Sequence, residues 1–123
     1  MTMHDVEETL DPAFCPYFHE AAELIGRRWN AVILRALLHG RSHFNEIKRA
    51  IPKLSPRMLS ERLKELERAG LIDREVIPTV PVRTRYRLTE QGRQLSPVFD
   101  AIEIWAKVWI MPAAGPYARP QTE

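Results

Sequence analysis

Arginines at alternate positions are the most distinctive chemical pattern in this 123-residue chain. Arg83, Arg85 and Arg87 stand at every second residue, and Thr84, Tyr86 and Leu88 occupy the positions between them. A period of two is that of a β-strand, whose successive side chains point to opposite faces. The pattern therefore predicts a strand with one cationic face, and guanidinium groups spaced in this way suit the phosphates of a polyanion.

A second cationic surface is predicted on a helix from Ser55 to Gly70. Ser55 is a good N-cap, Pro56 suits the first helical position, and Gly70 can end the helix in a left-handed conformation. Leucines at i, i+4 and i+7 predict a buried face of Leu59, Leu63 and Leu66. The opposite face carries Arg57, Ser60, Glu61, Lys64 and Arg68. Such a face is commonly no more than solvated surface, so its meaning depends on the elements around it.

The charge distribution favours a polyanionic partner. The net charge is only +2, but residues 1 to 23 hold six acidic residues and no Lys or Arg. Residues 24 to 94 hold sixteen basic and seven acidic residues. A basic centre between acidic flanks is suited to a polyanion on one face of the molecule.

Composition also argues against several classes of protein. No apolar run approaches the roughly 18 residues of a membrane span, and the first 25 residues lack the layout of a signal peptide, so we expect a cytoplasmic protein with no membrane partner. The single cysteine cannot form an internal disulfide. The four histidines have no metal-ligand spacing, and no nucleophile–base pair or phosphate-binding glycine loop is present. We therefore expect no metal, no cofactor and no enzymatic activity.

The remaining periodicities predict the scaffold that positions these surfaces. A helix begins at Pro16 and ends at Gly26, a core helix covers residues 29 to 39, and a short helix capped by Ser42 ends at Pro52. Together with the helix from Ser55 it gives two helices joined by a tight turn, the order of a helix-turn-helix. Residues 71 to 77 and 84 to 88 predict a hairpin directly behind it, which is the wing of a winged helix. The predicted fold class is α+β, mostly α.

An amphipathic, aromatic-rich segment follows the wing. Thr89 can cap its helix, and Pro97 should kink or split it, with Ser96 as a second cap. Its apolar stripe contains Phe99, Ile102, Trp105 and Trp109. So long a stripe after a complete domain favours contact with a second copy, and the alternative is a helix that folds back on its own domain.

Cys15 immediately precedes the first helix. If Pro16 is the first helical residue, Cys15 is the N-cap, where the positive end of the helix, aided by Arg27 or Arg28, would favour a reactive thiolate. The alternative is a small buried apolar residue. We divide the chain into an acidic arm (1–14), a winged helix-turn-helix domain with terminal dimerisation helices (15–111) and a disordered tail (112–123).

Several motifs in a fixed order resemble the HxlR-type winged-helix transcription regulators, a bacterial family related to the MarR type. They are Cys15-Pro16, Ile25-Gly26-Arg27-Arg28-Trp29 with Ile33-Leu34, Phe44-Asn45-Glu46-Ile47, Ser55-Pro56-Arg57-Met58-Leu59, the run from Leu66 to Leu71, and Tyr86-Arg87-Leu88-Thr89. The resemblance covers residues 15 to 105. It departs at Asn30 and Ala31, where Thr and a larger apolar residue are expected, which affects local packing only.

The resemblance implies a homodimer joined through its first and last helices, which adds Phe18 to the predicted interface. It places Ser55, Pro56, Arg57 and Ser60 at the major groove and Arg83 and Arg85 on the wing, and it matches Cys15 to a cysteine with which some members sense electrophiles or oxidants. We expect Arg57 to read guanine, and Lys64, Arg83 and Arg85 to bind phosphate or the minor groove.

The predicted function is a sequence-specific regulator of transcription, expected to be a repressor, that binds double-stranded DNA at a pseudo-palindromic operator. It would respond through Cys15 or to a small-molecule effector. The alternative is a winged-helix module that binds protein or a small effector without DNA. A basic wing in line with a basic helix face favours DNA, because a protein-binding module has no need of it.

Overall fold

A computed structural model describes residues 11–111 of the chain. Its helices are α1 (Pro16–Gly26), α2 (Asn30–Leu38), α3 (Phe44–Ala50), α4 (Pro56–Arg68), α5 (Glu90–Arg93) and α6 (Ser96–Trp109), and its strands are β1 (Ile72–Ile77) and β2 (Arg83–Leu88). The predicted fold class is confirmed, because a mostly helical chain carries one antiparallel hairpin after a helix-turn-helix. The tail (112–123) and the first ten residues of the arm lie outside the described residues.

The last residues of the predicted arm form a turn that leads into α1. The N–H groups of Ala13 and Phe14 donate to the side-chain and main-chain oxygens of Asp11, at 2.8 and 2.9 Å. Asp11 therefore shapes this turn by a local side-chain hydrogen bond, as Asp commonly does.

The core lies where α2, α3 and α4 meet the base of the wing. The side chains with almost no exposed surface are Ile33, Leu34, Ile47, Leu54, Leu59, Leu63, Leu66 and Ile72. Each helix contributes the apolar stripe that its period predicts, and β1 contributes its first residue. The polar face of α4 is consequently turned outward.

Helix α4 begins and ends as its sequence predicts. The Ser55 hydroxyl accepts a hydrogen bond from the Met58 N–H at 3.1 Å, and Pro56 is the first helical residue. Gly70 has a φ of +83°, and the N–H of Leu71 reaches back to the Leu66 carbonyl at 3.0 Å. This termination leads the chain directly into β1, so α4 and the wing have a fixed relationship.

Helix α3 begins differently from the prediction. His43, not Ser42, is the residue before the helix. The Glu46 carboxylate accepts hydrogen bonds from the N–H groups of Ser42 and His43, at 2.9 and 3.0 Å. These bonds hold the pKa of Glu46 below its ordinary value, because they favour the charged form.

Helix α2 begins one residue later than predicted. Trp29 has a φ of +80°, a conformation uncommon for an aromatic residue, and the helix starts at Asn30. The Asn30 side chain is fully buried and donates to the Leu24 carbonyl at 2.8 Å. The departure from the family pattern at Asn30 thus ties the end of α1 to the start of α2.

The last predicted helix is split in two, as Pro97 suggested. Thr89 caps the short α5 by accepting from the Gly92 N–H at 3.2 Å, and α6 starts at Ser96. Ser96 is itself helical and provides no cap, so that detail of the prediction is wrong. Gly92 allows the close packing of α5 on the wing base, since a Cβ there would lie 2.3 Å from the Leu71 carbonyl oxygen.

The assignment of Phe99 to a dimer interface is wrong. Phe99 is 5% exposed and belongs to the core of its own domain. The first turns of α6 lie against α2, where Arg35 forms ion pairs with Asp100 and Glu103. The alternative of a helix that folds back on its own domain therefore holds for the start of α6.

Candidate functional site

Most of the predicted DNA-contacting residues of α4 lie at its N-terminal end, and Lys64 lies two turns further along. Ser55, Pro56 and Arg57 are exposed, as is Lys64, while Ser60 is partly buried. The Arg57 side chain is 90% exposed, and its only ion pair among the described residues is with Glu61, 3.4 Å from Nε. An exposed pair of this kind is weak, so the guanidinium is available to a ligand.

The wing is less cationic than its sequence suggests. In the β1–β2 register Arg87 stands opposite Asp73, Arg85 opposite Glu75, and Arg83 opposite Ile77. Arg85 Nε lies 3.4 Å from Glu75 Oε1, and the Arg85 side chain is 43% exposed. Arg83, at the outer end of the strand, is the one of the three without a facing carboxylate. The three arginines are therefore not equivalent, which periodicity within one strand cannot show.

The wing is attached to the helix-turn-helix through β2. The Tyr86 N–H donates to the Ser42 carbonyl at 2.8 Å, and a ring nitrogen of His43 lies 3.2 Å from the Thr84 carbonyl oxygen. These contacts act as a short third strand beside β2. They hold the wing and α4 in one orientation, as a double contact with a duplex requires.

Asn45 and Arg49 of α3 were not among the predicted site residues. They line a cleft of about 440 Å³ together with Val82, Arg83 and others. Their spacing of four places them on one face of α3, and both are exposed. The spacing of four was the only sequence signal that could have included them in the site. It points to the site only when β2 is known to lie beside α3.

The far end of α4 is anchored to the junction between α1 and α2. Arg62 Nε donates to the Arg28 carbonyl at 2.9 Å, and its side chain is only 12% exposed. Arg27 Nε lies 3.2 Å from Glu65 Oε1. The sequence did not indicate a role for Arg62 and Glu65, because each is an ordinary residue of a charged helix surface. They fix the axis along which Arg57 projects.

Cys15 caps α1, as the sequence predicts. Its Sγ accepts from the Phe18 N–H at 3.4 Å, and the residue is exposed, so the alternative of a buried apolar cysteine is wrong. The expected aid from Arg27 or Arg28 is also wrong. Cys15 and Arg27 flank opposite ends of the eleven-residue helix α1, and their twelve-residue offset corresponds to about 18 Å at 1.5 Å per residue.

The terminal helices carry a large exposed apolar surface in the single chain. The predicted interface residues Phe18, Ile102, Trp105 and Trp109 are between 51% and 72% exposed. Neighbouring positions add Phe14, Tyr17, Ile104 and Val108, each more than half exposed. Exposed apolar side chains in such number on each of two helices indicate an interaction site.

A helix-turn-helix with an exposed basic reading helix, and with a hairpin locked beside it, defines a winged-helix DNA-binding protein. The sequence profile of the HxlR-like helix-turn-helix family matches residues 24–114. The chain belongs to this family and is a DNA-binding regulator of transcription.

Two similar proteins, one of them solved in two states, illustrate the relationship. The uncharacterized HTH-type transcriptional regulator YvaP of Bacillus subtilis is 48% identical over 99 residues, which are 80% of this chain and 92% of YvaP. The reduced form of the transcriptional regulator YodB from B. subtilis has a TM-score of 0.72 at 42% identity, over 80% of this chain and 97% of YodB. A quinone-bound YodB structure has a TM-score of 0.68 at 40% identity, over 77% and 100% of the two chains.

Two further findings concern residues 11–111. No helix in this part of the chain is long and apolar enough to cross a membrane. No group of three or more His, Cys, Asp or Glu side chains there could hold a metal ion.

Proposed function

We propose that the protein binds a pseudo-palindromic operator in double-stranded DNA as a homodimer and represses transcription until an electrophile or oxidant reaches Cys15. The proposal of DNA binding rests mainly on three exposed basic residues, Arg57 and Lys64 on α4 and Arg83 on β2. The contacts of β2 with the helix-turn-helix hold these two elements in a fixed relative orientation. Arg57, near the start of α4, would read guanine in the major groove. Lys64, Arg83 and Arg85 would contact phosphates or the minor groove.

A second copy is the occupant that we assign to the exposed faces of α1 and α6. Trp105 and Trp109 are each more than half exposed, and Phe18 is 72% exposed. Burying these three side chains would contribute several kcal/mol, at roughly 25 cal/mol per Å². A twofold pair would present two α4 helices to one side of the duplex, about 34 Å apart.

The proposed signal enters at Cys15. The residue is exposed at the N-terminal end of α1, where the helix dipole attracts negative charge. A quinone would react by addition: a sulfur–carbon bond forms, and the ring, with the thiol proton, becomes a hydroquinone. The relative YodB has been solved in a quinone-bound form, which supports a quinone as the signal. Because α1 belongs to the proposed dimer face, an adduct there would disturb the pairing of the two reading helices.

Site selection from a random duplex pool, followed by a salt series, tests DNA binding. We expect one enriched inverted repeat, bound about a thousandfold or more tighter than random duplex, with affinity falling steeply as salt rises. No enriched sequence and a flat salt dependence would instead support the protein-binding alternative, which the comparisons do not favour.

Mass spectrometry tests the sensor separately. After treatment with a benzoquinone, Cys15 should carry the adduct and DNA affinity should fall, while the Cys15→Ser variant should keep its affinity. An unmodified Cys15, or an equal loss of affinity in Cys15→Ser, would reject the sensor and leave the DNA proposal intact.

A further inference from the structure

The tip of the wing is apolar and fully exposed. Residues 78–82, which join β1 to β2, contain two prolines, two valines and a threonine but no charged residue. Val80 is completely exposed and Val82 is 66% exposed. An apolar tip at the end of an otherwise charged hairpin does not serve solubility, and it does not pack on the protein's own core.

The tip holds a defined shape. The Thr79 N–H donates to the Ile77 carbonyl at 2.8 Å, and the Thr79 hydroxyl donates to the Pro81 carbonyl at 2.7 Å. Pro78 and Pro81 restrict φ on either side of Val80. A preorganised tip loses little conformational entropy on binding, so even a small apolar contact can contribute to affinity.

The tip continues the cationic surface of the interface. Arg83, the wing arginine without a facing carboxylate, is the next residue after Val82. Val82 and Arg83 line the cleft that also contains Asn45 and Arg49 of α3. A duplex whose phosphates contact Arg83 and Arg49 would therefore lie close to the tip, because Val80 is only three residues from Arg83.

We propose that Val80, at the tip of the wing, makes this chain prefer A·T over G·C pairs in the minor groove that the wing contacts. The inference rests on the proposed DNA binding. In the minor groove a G·C pair differs by the guanine 2-amino group, which projects from the groove floor. A valine methyl group covering that amino group removes it from water and offers no acceptor, which disfavours G·C. The floor of an A·T pair has no such group.

A protein partner at the tip is the competing occupant, and the structure disfavours it. Two valines and two prolines form a surface far smaller than the roughly 800 Å² per partner of a stable interface. The tip is also flanked by Arg83, which is suited to phosphate.

Inosine substitution in the selected operator gives the test. An I·C pair presents the major groove of G·C but lacks the 2-amino group, so its minor groove resembles that of A·T. At positions flanking each half-site, the protein should bind A·T and I·C duplexes equally and G·C about tenfold more weakly. Val80→Thr keeps the side-chain shape and supplies an acceptor, so it should reduce this discrimination to about twofold. The matched control Val76→Thr, at a position on β1 that is 56% exposed and lies outside the tip, should retain it.

Two outcomes would overturn the proposal. One is equal weakening by I·C and G·C, which would indicate readout from the major groove. The other is full discrimination in Val80→Thr, which would show that the tip does not touch the bases. In either case an operator that still depends on Arg57 leaves the proposed function standing, whereas failure to select any operator removes both.

Discussion

We propose that base specificity depends most on Arg57. Its side chain is 90% exposed, and its pairing with Glu61 spans one helical turn. Its position in the first turn of α4 brings it to the base edges when that end enters the major groove. The pair with Glu61 orients the guanidinium without neutralising it fully, because exposed i,i+4 pairs contribute only about 0.3–0.5 kcal/mol.

Replacing Arg57 by alanine should therefore cost about 1–3 kcal/mol on the selected operator and relax the preference at one base pair. Arg83→Ala should weaken operator and random duplex alike and reduce the salt slope by about one. Fluorescence anisotropy on both duplexes distinguishes these effects. Parallel losses for the two variants on both duplexes would show that Arg57 contacts only phosphate.

We expect Glu75 to limit the affinity of the wing for DNA. Its carboxylate is 3.4 Å from Arg85 and would face the DNA backbone with it. Glu75→Gln should remove a repulsion and release Arg85, so that affinity for any duplex rises about three- to tenfold and the salt slope steepens by about one. Glu20→Gln makes the same change of charge on α1, far from the wing, and should leave the salt slope unchanged. Unchanged binding by Glu75→Gln would mean that Arg85 does not reach the phosphates.

At the scale of elements, the start of α3 supports the attachment of the wing. Glu46 accepts two main-chain N–H groups there, and these hydrogen bonds lower its pKa from the ordinary 4.5. A carboxyl with a lowered pKa in the folded state stabilises the fold above its unfolded pKa, and this contribution is lost as pH falls through the folded pKa.

Glu46→Gln should therefore reduce the acid sensitivity of folding. In thermal unfolding, wild type should lose stability as pH drops below about 4.5, and the variant should lose less over the same range. Glu67→Gln, which removes a carboxylate that accepts neither of these N–H groups, should follow wild type. Identical acid limbs for Glu46→Gln and wild type would show that this cap does not contribute to stability.

Local signals predicted most of the elements, and contacts across the fold account for the differences. Ser55, Pro56 and Gly70 define α4 by chemistry within a few residues, so its bounds could be predicted. The pairing of Arg85 with Glu75 depends on the hairpin register, and the anchoring of Arg62 to Arg28 depends on how α4 packs against the α1–α2 junction. Neither relationship has a local signature, so the wing appeared more cationic in sequence than it is in the fold.

At the scale of the whole molecule, α6 has two roles along its length. Its first turns are core of the single domain, through Phe99 and the pairs of Arg35 with Asp100 and Glu103. Its later turns expose Trp105 and Trp109. The apolar residues recur at the same spacing in both parts of the helix. Periodicity therefore could not show that Phe99 is buried in the core while Trp105 and Trp109 are exposed.

Two substitutions separate these roles. Phe99→Ala should lower the free energy of unfolding by about 3–5 kcal/mol, because it leaves a cavity in the core. Trp105→Ala should retain a folded domain but weaken dimerisation by about 2 kcal/mol or more per protomer. Urea unfolding and sedimentation velocity measure the two quantities. A monomeric but stable Phe99→Ala together with a dimeric Trp105→Ala would reverse the assignment.

Two α4 helices of one dimer should read two half-sites on the same face of a duplex. A hydroxyl-radical footprint on the selected operator tests this arrangement most directly. We expect two protected stretches with centres about 10 base pairs apart, related by the twofold axis of the site, with further protection at the outer flanks where the wings lie. In Trp105→Ala both stretches should fade together. A single protected stretch that Trp105→Ala leaves unchanged would contradict the claim, because it would show that one copy suffices to read the site.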